Sequence, residues 1–191
     1  MKNPPLPRCL WCSGTVPCGT HADTVPVHAG SLYGGDARRV ILMLKHGGYR
    51  ALGLRLGRAL AEVFPVPALD VLVPVPLHRR SPRRYNQAEA IAGGLGEVWG
   101  VDVWSAARWS YDVRTRMGMD AAGRRALPHD VFEVDGQIAG LRIALVDDVC
   151  TTGSTLARLA EACRERGATL VGAFVSARTP SPWVLYPIST T

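Results

Sequence analysis

The stretch Ile143–Thr155, IALVDDVCTTGST, sets two adjacent aspartates at the end of an apolar run and follows them with small hydroxyl residues around one glycine. Such a continuous apolar run is what a strand buried on both faces requires. Ligands of open α/β sheets sit at the carboxyl ends of the strands, and Asp147 and Asp148 stand there. The segment Val149, Cys150, Thr151, Thr152, Gly153, Ser154 and Thr155 follows, with a helix expected from Ser154. Gly153 lets the backbone amides turn toward a ligand. The first amides of a helix have no intrahelical partners and carry partial positive charge, so a phosphate settles on them. The aspartates are then placed to accept hydrogen bonds from a neutral diol on the same ligand. The combination predicts a ribose 5-phosphate site, with Asp147 and Asp148 as candidate catalytic residues.

A second cluster lies near the N-terminus. Cys9, Cys12, Cys18 and His21 form a C-x2-C-x5-C-x2-H pattern. Two close pairs of sulfur and imidazole ligands suit a tetrahedral zinc ion. The surrounding residues 1–24 are rich in Cys, Gly and Pro and carry little apolar periodicity, so a metal would do the work of a core. His28 is an alternative fourth ligand. The cysteines number five, an odd count, and no apolar h-region opens the chain, which argues against a disulfide framework and for a cytoplasmic protein.

A third feature is basic. The loop PLHRRSPRRYNQ places Arg79, Arg80, Arg83 and Arg84 beside Pro76, Leu77 and His78. Arginine presents a planar fork that matches phosphate oxygens, and four so close also suit a nucleic-acid backbone. Arg114, Arg116, Arg124 and Arg125 form a further basic run. The net charge of the 191-residue chain is +6, which favours polyanionic partners. The five tryptophans, Trp11, Trp99, Trp104, Trp109 and Trp183, are scattered candidates for stacking on bases.

These residues need elements to position them. Residues 25–33 read as a short strand. A helix from Asp36 carries Val40, Ile41 and Leu44 on one face and stops at Gly47-Gly48, leaving Lys45 at its end. A second, from Tyr49 to Val63, has Leu52, Leu56, Ala59, Leu60 and Val63 as its stripe. DVLVPVPLH is a strand that breaks at its prolines. Asn86 caps a helix to Trp99, Val101–Trp104 is a strand, and residues 105–130 are poorly patterned. FEV and RIALV are strands, Ser154–Arg166 a helix and TLVGAFVSA a last strand. Strands alternating with helices predict an α/β domain with a mainly parallel sheet flanked by helices. No apolar run is long enough to span a membrane.

The Ile143–Thr155 stretch resembles the phosphoribosyl pyrophosphate (PRPP) motif of type I phosphoribosyltransferases. YGGDARRVILMLKHGG, then VPVPLHRRSPRRYNQA, then that motif, in this order, resemble the ComF family, to about Thr179. The resemblance implies a type I phosphoribosyltransferase-like fold. A zinc-binding segment would occupy 1–24, hood helices 25–68, the core 69–180, and an irregular tail 181–191. It implies PRPP with Mg2+ as ligand, the Pro76–Arg84 loop cradling pyrophosphate, and a lid or acceptor site with Lys45, Arg116 and Arg124. The family's glycine is replaced by Arg84, and its lid Gln by Arg116. It further implies a role in DNA uptake during natural transformation. Three readings of that role stay open: a ribose-phosphate-binding protein, an active nucleobase phosphoribosyltransferase, and a non-catalytic accessory that binds single-stranded DNA or a competence helicase.

Overall fold

The computed structural model describes residues 4–78, 80–111 and 127–180. Its six-stranded sheet has the spatial order β1-β2-β8-β7-β3-β4. The strands are β1 (Arg8–Cys9), β2 (Pro26–Leu32), β3 (Val71–Pro74), β4 (Asp102–Val103), β7 (Arg142–Cys150) and β8 (Thr169–Arg178). All neighbours are parallel except β1, which runs antiparallel to β2. This is the mainly parallel α/β architecture that the alternation predicts.

Side chains alternate between the faces of a strand, and β7 divides the core accordingly. Ala144 and Val146 join Ile41, Leu44, Leu60, Ile91 and Leu95 from α1 (Gly35–His46), α2 (Arg50–Val63) and α3 (Gln87–Trp99). Ile143 and Leu145 face Leu156 and Leu159 from α4 (Ser154–Glu165), together with Cys9, Leu10 and Trp11 of the N-terminal segment.

Helix ends follow ordinary capping. Asn86 accepts the amide of Ala88 at 3.1 Å, and Gly100 closes α3 in the left-handed region at φ 68°. The contact between α2 and α3 differs from the leucine stripe expected. Its centre is glycine: a Cβ on Gly57 would lie 2.0 Å from the carbonyl oxygen of Ile91, and one on Gly94 2.0 Å from that of Leu54. Leu52 and Leu56 are only half-buried. The two backbones approach so closely that no side chain fits between them.

Two further differences concern strands. Within the poorly patterned region lies β5 (Ala107–Trp109), which pairs antiparallel with the expected FEV strand, β6 (Phe132–Val134), as a separate ribbon. β2, inside the 25–68 stretch assigned to hood helices, is a member of the main sheet against β8. The tail 181–191 lies outside the described residues.

Candidate functional site

The acidic pair lies within β7 and not beyond its end. The strand continues through Asp147, Asp148 and Val149 to Cys150, with Asp147 opposite Val175 and Cys150 opposite Arg178 on β8. The strand thus runs four residues past the expected RIALV. Backbone pairing with β8 persists whatever the side chains, so the turn shrinks to Thr151–Gly153 before α4. The side chain of Cys150 packs in the core, and burial pushes its thiol up to about 12.

The two aspartates have different surroundings. Asp148 is 9% exposed, and its Oδ1 lies 3.1 Å from the ammonium of Lys45 at the end of α1. Asp147 accepts the amide of Asp148 at 2.8 Å. Burial, and next the Asp148 charge, push the Asp147 carboxyl well above its ordinary range, against the opposing pull of that amide, Lys45 and Arg83.

Both aspartates line a cleft of about 1170 Å³. The α1 end, from Lys45 to Gly48, forms one wall, and the basic loop forms another with Pro76, Leu77, His78, Arg80 and Arg84. Val149 and Thr151 reach the same space. Gly153, at φ 77°, precedes Ser154 at the start of α4. Thr152 and Ser154 hydroxyls are 3.0 Å apart, and Thr155 lies in the first turn of α4. Thr179 holds the turn from behind, its Oγ1 donating to the Thr151 carbonyl at 2.8 Å. The arrangement offers carboxylates for hydroxyls, a helix start for one phosphate, and guanidinium groups for a second anionic group. Arg79, Arg116 and Arg124 lie outside the described residues.

Three residues make supporting contacts that the sequence does not reveal. Tyr85 donates its hydroxyl to the Leu44 carbonyl at 2.7 Å, tying α1 to the basic loop. Asn86 Nδ2 donates to the carbonyl of Val75 at 3.0 Å, and Trp109 Nε1 to that of Pro76 at 2.8 Å. Trp109 also packs on Phe132 and meets His78 edge-on, while Trp99 packs edge-on against Phe174, so these two tryptophans are packed residues first.

The N-terminal cluster assembles as its spacing predicts. The ligand atoms of Cys9, Cys12, Cys18 and His21 all lie within 4.8 Å of one another. The Sγ atoms of Cys12 and Cys18 are 3.5 Å apart, and His21 Nδ1 lies 3.4 Å from the sulfur of Cys18. These separations fit four ligands on one ion with bonds of about 2.0–2.3 Å. The His21 contact pulls the Cys18 thiol down to about 6, toward the thiolate a metal needs. The amide of Gly14 also donates to the Cys12 sulfur at 3.4 Å. His28 is not part of this cluster. It stacks on Phe174 with ring centroids 4.9 Å apart, because its strand carries it into the main sheet.

Among the described residues, no helix is long and apolar enough to cross a membrane. A phosphoribosyl transferase domain model matches residues 115–185. DNA utilization protein YhgH of Salmonella typhi is 29% identical over 123 residues, 61% of this chain and 52% of that protein. Competence protein F of Haemophilus influenzae is 31% identical over 107 residues, 51% of this chain and 45% of that protein. The chain spans about half the length of the curated relatives it matches. A solved glutamine PRPP amidotransferase from B. subtilis is 26% identical, with a TM-score of 0.47 over 64% of this chain and 25% of that one.

Proposed function

We propose that the chain is a ComF-like protein of phosphoribosyltransferase fold, and that its cleft binds PRPP or a related ribose 5-phosphate in the service of DNA uptake. The observation that carries the reading is one cleft lined by Asp147, Asp148 and Thr151, the first residue of the turn into α4, with the arginine loop as its wall. The ribose hydroxyls meet the acidic pair, the 5-phosphate meets the Thr151–Thr155 turn, and the pyrophosphate meets Pro76–Arg84. Mg2+ would enter with the ligand and offset its negative charge. The protein's own part is to position the sugar and to balance charge around it. A zinc ion on Cys9, Cys12, Cys18 and His21 serves structure.

Calorimetric titration of Mg-PRPP tests this reading. The wild-type chain should bind saturably, and the double variant Asp147→Asn/Asp148→Asn should lose that binding. Unchanged affinity in the variant would sink the site assignment.

A second reading makes the protein a non-catalytic accessory that binds single-stranded DNA or a helicase. The basic loop supports it, since Arg80, Arg83 and Arg84 gather along one side of the cleft. Affinity for a single-stranded oligonucleotide should then fall steeply with added salt. Binding that is flat from low to high salt would remove this reading. The names of the relatives point to DNA use, and they suit either reading. An acceptor for pentosyl transfer would be sought once PRPP binding is measured.

A further inference from the structure

The last turn of α1 enters the cleft, and both of its neighbouring residues are tied down. Leu44 is fully buried and its carbonyl accepts the Tyr85 hydroxyl. The Lys45 side chain, next in sequence, is only 23% exposed and reaches Asp148 at 3.1 Å. A lysine that merely snorkels to the surface keeps its ammonium in water. This one turns its ammonium inward, onto one carboxylate of the pair that would hold the sugar.

The choice of carboxylate has a chemical consequence. Asp147 already spends one oxygen on the amide of Asp148. Asp148 has a cation facing it from α1, with Asp147 on its own strand and Tyr85 from the loop before α3 nearby, while Arg83 of that loop acts on Asp147. The ion pair fixes the orientation of the Asp148 carboxylate. A charged and oriented acceptor rewards two sugar hydroxyls, and it penalises a sugar that lacks one of them.

We propose that Lys45 is the residue that sets sugar specificity in this cleft, by holding Asp148 as a fixed acceptor for the ribose diol and so selecting ribose over 2-deoxyribose phosphates. The inference rests on the ribose-phosphate reading above. Lys45 is a positioning residue in this account, since it acts through Asp148. The same ammonium offsets negative charge at the floor of a cleft that must admit a polyanion.

The test compares ribose 5-phosphate with 2-deoxyribose 5-phosphate by calorimetry on the full chain. The wild type should prefer the ribose form by about tenfold, the value of one hydrogen bond to a charged group. Lys45→Met should lose most of that preference through weaker ribose 5-phosphate binding, with little change for the deoxy sugar, and Lys45→Arg should restore part of it. In an Asp148→Asn background, Lys45→Met should have no further effect on the preference. A Lys45→Met protein that keeps the wild-type preference, or that weakens on both sugars equally, overturns the inference while leaving the ribose-phosphate reading intact. A wild type that binds neither sugar overturns that reading and the inference with it. Should Lys45→Met fail to fold, Lys45→Gln carries the test on the same two sugars: loss of the preference is expected, and an unchanged preference overturns the inference.

Discussion

At the scale of the residue, the acidic pair separates into two different acids. Asp148 is matched by Lys45, whereas Asp147 is pushed up by burial and by its neighbour's charge. An acid whose folded pKa is raised contributes its stability below the unfolded value of about 4 and loses it as pH rises through the folded value. Asp147→Asn should therefore raise the melting temperature at pH 8 by a few degrees and much less at pH 4, as thermal scans at the two pH values would reveal. Equal shifts at both would contradict the assignment. Trp109→Phe should cost about 1 kcal/mol in urea denaturation, because it removes the hydrogen bond to Pro76 while keeping most of the packing. The acidic pair and the threonine turn were legible because their residue types and order are themselves the chemistry. Trp109 and Tyr85 were not, since each bonds a backbone carbonyl more than thirty residues away, and sequence spacing carries no trace of that.

At the scale of the element, the helices announced themselves within a residue or so at either end, because Gly47-Gly48, Asn86 and Gly167 mark their ends. β7 was read short. A hydropathy pattern stops at the first aspartate, whereas hydrogen bonding to β8 does not. FEV is legible as a strand, but its partner β5 is not, because three residues hold too little alternation to be visible. The α2–α3 contact is where pattern misled most: it rests on glycines, which no apolar stripe registers. Gly57→Ala or Gly94→Ala should each destabilise the fold by roughly 1–3 kcal/mol, the usual cost of overpacking, because only backbone stands in the way and cannot rotate aside. Chemical denaturation of the two variants measures this, and a neutral result would show that the helices can separate freely.

At the scale of the whole molecule, the N-terminal segment is built into the core. Cys9, Leu10 and Trp11 are buried with residues of α4, and the Arg164 guanidinium sits 4.8 Å over the Trp11 ring while donating to the carbonyl of Asp23 at 3.2 Å. Metal analysis should give about one zinc per chain, as four ligands imply. Chelation should lower the melting temperature without abolishing the fold, since the larger share of the apolar core lies elsewhere. A preparation that is metal-free and equally stable would remove zinc from this account.

The placement of β2 carries a consequence for how the chain is made. β2 lies between β1, which offers it two residues, and β8, which does not leave the ribosome until some 140 residues later. Until Thr169–Arg178 is synthesised, one side of β2 and the inner side of β7 are both open edges, of the kind that recruits other chains. The parallel sheet closes last and over a long sequence separation, which makes folding slow and leaves nascent or truncated chains prone to aggregate.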